Sequence, residues 1–119
     1  MSITRKKYPC PACGFLVFDE PPGSFDICSV CAWEDDDVQL SFPGYRGGAN
    51  GTSLYEWQLR AQKKYPLNIR TVNRIERDAR WRPLRTDELG DKNQAPTSPL
   101  EYFHALSESD VEYYWLKGN

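Results

Sequence analysis

The stretch CPACG at residues 10–14 is answered by CSVC at residues 28–31, so the four cysteines fall into two C-x-x-C pairs fourteen residues apart. A tetrahedral metal needs four sulfurs converging at about 2.3 Å, and two short C-x-x-C turns each present two of them. Cys10, Cys13, Cys28 and Cys31 therefore read as the ligands of one metal ion, expected to be Zn²⁺, with iron left open by the chemistry. The residue after each pair needs a permissive backbone so that its amide can approach a sulfur; Gly14 suits this and Ala32 suits it less well. A redox pair would call for one C-x-x-C beside a βαβ pattern, which is absent. Disulfides suit secreted chains, whereas MSITRKK carries basic residues with no apolar segment after them, so a cytoplasmic protein is expected. Four sulfur ligands close the coordination shell, which predicts a structural role.

Working outward, Phe15–Phe18 reads as a strand, Pro21-Pro22-Gly23 as a turn and Ser24–Ile27 as the returning strand. That places both cysteine pairs at one open end of a single hairpin. Residues 34–52 read as an irregular loop. Ser53 with Glu56 forms a capping-box pattern that opens a helix, Leu54, Trp57, Leu59 and Ala61 supply its apolar contacts, and Pro66 stops it. A second helix is expected over 68–81, with Ile69, Val72, Ile75 and Ala79 on one face. Residues 86–97 read as a linker. Cap signals at Ser98 and Ser109 then predict two short C-terminal helices, with Tyr102, Phe103, Leu106, Val111, Tyr114, Trp115 and Leu116 as core candidates. The expected fold is α+β: a small zinc-ribbon β-hairpin with a structural Cys₄ site packed against several short helices. Residues 1–119 form one domain, with a zinc-ribbon-like segment at 8–40, a helical segment at 53–83 and C-terminal helices at 98–117.

Sixteen aromatic residues in 119 supply enough apolar surface for a folded core, and no apolar run is long enough for a membrane span. The net charge of −2 conceals three blocks. Residues 1–54 carry four basic and seven acidic side chains, 55–85 nine and three, and 86–119 two and seven.

YPCPACGF, the hydrophobic strand after it, EPPGSFDICSVCAWEDD and GGANGTSL together resemble the small bacterial family of cysteine-rich CPCC proteins. The likeness runs from Tyr8 to Leu54 and, more weakly, to Trp81-Arg82-Pro83 and Asp87-Glu88; residues 89–119 have no counterpart. Ala12 stands where the family's name motif has a cysteine, and both C-x-x-C pairs survive it. The resemblance implies a zinc-ribbon-like fold in a bacterial cytoplasmic protein. Such proteins resemble those encoded beside polymorphic or contact-dependent toxins, which implies an immunity role.

Two charged constellations suggest surfaces. Glu34, Asp35, Asp36 and Asp37 offer an acidic run for a basic partner, or a solvated turn; their consecutive placement lacks the alternation of a calcium loop. Arg70, Arg74 and Arg77 recur at helical spacing and suggest a nucleic-acid surface. Asp78 is spaced to pair with Arg74 on that helix. Gly47-Gly48-Ala49-Asn50-Gly51 lacks the ending of a phosphate loop, so close packing is its expected role. His104 is the only histidine and falls among helix-core candidates; no nucleophile–base set accompanies it. The leading expectation is a non-enzymatic immunity protein that binds a cognate toxin, and the alternative is a nucleic-acid-binding zinc ribbon. No membrane and no small-molecule substrate is expected.

Overall fold

The computed structural model describes residues 7–89 and 113–116. Most of the expected C-terminal helical region, including His104, lies outside the described residues; within it, Tyr114–Leu116 forms a 3₁₀ turn.

Strand β1 (Tyr8–Pro9) pairs antiparallel with β2 (Leu16–Phe18), Tyr8 opposite Phe18 and Pro9 opposite Leu16. The expected partner of β2, residues 24–27, pairs elsewhere: Ile27 bridges Glu34, the Phe25 amide donates to Asp35 O at 3.0 Å, and the Asp35 amide to Asp26 O at 2.9 Å. The reason is local. Each C-x-x-C turn folds its own flanks together, so each cysteine pair tips its own hairpin. Pro21 and Pro22, which have no N–H to give a ladder, serve as the connection between the two hairpins. Gly23 completes that turn at φ 99°.

The segment expected as an irregular loop holds a short helix, α1 (Asp37–Ser41), capped by Asp36. Helix α2 (Leu54–Lys64) forms as its sequence predicts, with the Ser53 side chain accepting from the Glu56 amide at 3.1 Å and Tyr65 ending it before Pro66. Its buried face is Leu54, Gln58 and Ala61, whereas Leu59, an expected core residue, is 47% exposed. Gln58 is buried because the backbone meets all of its polar atoms. Its Nε2 donates to Pro11 O and Tyr114 Oη, both at 2.9 Å, and its Oε1 accepts from the Leu84 amide at 2.8 Å.

Residues 68–81 do not form a helix. Strands β3 (Thr71–Val72) and β4 (Ile75–Glu76) make a hairpin, Thr71 opposite Glu76 and Val72 opposite Ile75. Asn73 and Arg74 turn it with φ 49° and 68°, the left-handed pair of a type I′ turn, in which Asn is favoured. The three-residue spacing of Ile69, Val72 and Ile75 imitated a helical face. The β-branched Thr71, Val72 and Ile75 fit the strand better. This hairpin docks on the first one through a Phe15–Arg77 bridge and an Asp78 amide to Gly14 O bond of 2.8 Å.

The core gathers Phe15, Phe18, Trp33, Leu40, Leu54, Leu84 and Tyr114 around the cysteines. Trp33, fully buried, meets Trp57 edge to face with centroids 5.7 Å apart. Arg82 and Glu88 close the far side with a two-pronged ion pair of 2.7 and 2.8 Å, and Arg82 holds the Glu88 carboxyl down at about 2. No helix among the described residues is long and apolar enough to cross a membrane.

Gly14 and Gly51 both have positive φ, at 82° and 69°, yet a Cβ on Gly14 would press into the Trp81 indole while one on Gly51 meets open space. Gly51→Ala is expected to cost about 1 kcal/mol from backbone strain. Gly14→Ala adds overpacking to that strain, for roughly 2–5 kcal/mol in all. Chemical denaturation of the two variants checks this, and equal losses would remove the Trp81 contact from the account.

Candidate metal centre

The two cysteine turns are near copies. In the first, the Cys10 amide donates to Phe15 O at 2.9 Å and the Gly14 amide to Cys10 O at 2.7 Å. In the second, the Cys28 amide donates to Trp33 O at 2.8 Å and the Ala32 amide to Cys28 O at 2.9 Å. Gly14 and Ala32 close the turns at φ 82° and 70°. The sequence anticipated this demand; alanine meets it at the usual cost of a Cβ in the left-handed region, about 1–2 kcal/mol.

The turns face one another, and the four sulfurs all lie within 4.8 Å of one another. Cys10 to Cys31 and Cys13 to Cys28 both measure 3.7 Å, far longer than a disulfide and close to the roughly 3.8 Å edge of a tetrahedron with 2.3 Å metal–sulfur bonds. The donor set therefore fits one metal ion. Cys10, Cys13 and Cys28 are buried and Cys31 is half-buried.

Electrostatics point the same way. Burial, and then contact with the other three sulfurs, pushes the Cys10 thiol up. Hydrogen bonding from Cys10, Cys13 and Cys31 pulls Cys28 far down, aided by the Cys31 amide. The Val30 and Cys31 amides reach the Cys28 sulfur at 3.3 and 3.4 Å. A cluster this tight holds four thiolates together only around a cation.

A polar frame fixes the carbonyls of both turns. Trp57 Nε1 donates to Cys31 O at 3.1 Å, and Trp81 Nε1 to Pro11 O at 3.0 Å beside Gln58. Arg77 supplies the fourth member and is the largest departure from the sequence reading, which put it on a surface stripe with Arg70 and Arg74. It is 4% exposed. Its Nε donates to Cys13 O at 2.8 Å, Nη1 to Pro66 O and Ile69 O at 2.8 and 2.9 Å, and Nη2 to Tyr65 O at 3.0 Å. Phe15 and Trp81 flank the guanidinium, 4.6 and 5.2 Å from their ring centroids. Arg70 and Arg74 are exposed, and the Asp78 carboxylate accepts from the Arg80 amide at 3.0 Å where a helical pair with Arg74 was expected. A β-hairpin spreads three residues that a helix would have aligned.

The acidic run is likewise turned inward. Asp35 and Asp36 are 2% and 1% exposed, and Glu34 and Asp37 are half-buried. Asp35 Oδ2 accepts from the Ser24 amide and hydroxyl at 3.2 and 2.7 Å. Asp36 accepts from Val38, Gln39 and Ala49 amides at 2.9, 3.3 and 2.9 Å. These residues do not present the exposed acidic surface expected for a basic partner; short carboxylates reach nearby amides that the glycine-rich loop leaves bare. Asn50 locks that loop by exchanging bonds with the Glu34 backbone, 2.8 and 2.9 Å, and Gln39 lies fully buried against it. A Cβ on Gly48 would strike Gln39 and Asp36, so the loop does serve close packing. The sequence reading missed Gln39 and Gln58 and misplaced Arg77; a glutamine at the i+4 position between Leu54 and Ala61 was the available signal for Gln58.

A family model described as Cysteine-rich CPCC matches residues 8–76, more than half of the chain, and the protein belongs to that family. No curated protein matches it.

Arg77→Met removes the donor to the Cys13, Tyr65 and Ile69 carbonyls and one of the two donors to Pro66 O, and is expected to cost about 3–5 kcal/mol, against less than about 0.5 for Arg74→Ala. Equal effects in denaturant would return Arg77 to the surface. Asp36→Ala removes a cap and a loop anchor, an expected loss of about 1–3 kcal/mol. Burial, and then the Asp36 charge, raises the Asp37 carboxyl. A raised folded-state value means that ionised Asp37 opposes folding once the pH exceeds its unfolded range. Asp37→Asn is therefore expected to hold or gain stability at pH 7 and to flatten the loss that sets in as the pH rises above the ordinary carboxylate range; a clear loss at pH 7 overturns this.

Proposed function

We propose that this cysteine-rich CPCC protein is a non-enzymatic binding protein, an immunity protein that neutralises a cognate bacterial toxin by stoichiometric contact, built on a zinc ribbon. The observation that carries the metal half of this reading is the largely buried set of four sulfurs, two pairs of them 3.7 Å apart and all within 4.8 Å of one another. Zn²⁺ bound by Cys10, Cys13, Cys28 and Cys31 has no position left for water or substrate, so its contribution is to the fold. Two cysteine turns, each at the tip of its own hairpin, are the parts a zinc ribbon requires. A zinc tetrathiolate carries two negative charges, and Arg77 stands behind the Cys13 carbonyl as a buried cation with no ion-pair partner among the described residues. The family resemblance supports the immunity half.

Structural zinc contributes about 10–16 kcal/mol in finger-sized peptides, comparable with the whole stability of a small domain. One zinc per chain by native mass spectrometry is expected, with chelation or Cys28→Ser unfolding the cysteine hairpins. A metal-free protein with an unchanged melt overturns the zinc reading. Purified from its host after nuclease treatment, the protein is expected to carry one protein partner at equal stoichiometry. No protein partner, with nucleic acid retained when the nuclease is omitted, overturns the immunity reading.

A further inference from the structure

Helix α2 and the second cysteine turn do not meet flush. Between them lies a cleft of about 270 Å³, smaller than a drug-sized site and suited to one or two apolar side chains. Trp57, Arg60, Ala61 and Lys64 line one side at the i, i+3, i+4, i+7 spacing of a single helix face, and Val30 and Ala32 form the opposite wall. Cys31 and Tyr65 complete a lining that is more apolar than polar. The rim is cationic, and neither Arg60 nor Lys64 has an ion-pair partner among the described residues.

Both cations are held by the rings beneath them. Arg60 Cζ lies 5.5 Å from the Trp57 ring centroid, and Lys64 Nζ 5.5 Å from that of Tyr65. Trp33 and Phe15 also meet these same two rings edge-on, so the rings are engaged by protein and present no open platform for stacking bases. Lys63, also exposed in the last helical turn, extends the positive charge. An apolar slot with two preset cations at its lip matches a side chain flanked by carboxylates better than a polynucleotide.

We propose that this cleft docks an acidic segment of a partner protein, with an apolar side chain seated between Ala61 and Val30 and carboxylates paired to Arg60 and Lys64. The inference rests on the binding-protein reading above and specifies the chemistry of its partner: acidic, where the sequence alone suggested a basic one.

The test uses the full chain loaded with zinc and a fluorescein-labelled pentapeptide in which one leucine sits between two pairs of glutamates, followed by fluorescence anisotropy. Binding is expected to weaken at least tenfold in the Arg60→Glu, Lys64→Glu double variant and equally when the peptide glutamates become glutamines. Arg74→Glu, a charge reversal away from the cleft, is expected to leave it unchanged. Zinc content and melting temperature of each variant are read alongside, and Arg60→Gln with Lys64→Gln replaces the reversal if that fails to fold. Equal binding of the glutamine peptide, or no loss in the cleft variants, overturns the proposal, as does tighter binding of a thymidine decamer through the same two residues. Failure of the host-purified protein to carry any protein partner would instead strike the binding-protein reading, so the two failures are distinct.

Discussion

Four sulfurs brought into mutual contact are the constraint around which everything else is arranged. Thiols packed this closely in a water-poor site cannot all ionise without a cation. A small chain with few long strands also has little else to hold two hairpins at a fixed angle. The hairpins themselves are short: β1 spans two residues and β2 three. Strands of that length have no independent stability, so their geometry comes from the cysteine turns and from what packs behind them.

What packs behind them is unusually polar for a core. Gln39, Gln58 and Arg77 are almost wholly removed from water, and each is met by several hydrogen bonds. A buried amide or guanidinium is costly when half satisfied and specific when fully satisfied. These three side chains thus set the spacing of loops that have no regular secondary structure of their own. The glycine-rich loop, the return after α2 and the C-terminal turn are each anchored in this way.

The convergence of the four cysteines, the closing role of Gly14, the strain at Ala32 and helix α2 with its cap were all legible from residue types at fixed spacing. Those signals are local: a turn needs its glycine and a helix needs its cap whatever surrounds them. Strand pairing was legible only in part, because the sequence does not state which side of a cysteine turn a strand will join. The β3–β4 hairpin was misread because Ile69, Val72 and Ile75 satisfy a helical period by coincidence. Asn73 held the contrary signal, but its neighbour Arg74 is a poor left-handed residue and weakened it. Charge was the least legible property. Asp35, Asp36 and Arg77 look like surface residues by type, and only the fold reveals that backbone amides and carbonyls wait for them inside.

The partners of Arg77 and the recipients of the Gln58, Trp57 and Trp81 donors near the cysteines are main-chain carbonyls with few exceptions. A carbonyl belongs to every amino acid, so such a bond constrains one end of the pair and leaves the other end free to change identity. Asymmetric drift among relatives is the expected consequence: the donors should resist replacement while the residues they hold can vary without a compensating change. Pairwise covariation, the usual footprint of contact, would be faint around the most tightly fastened part of this molecule.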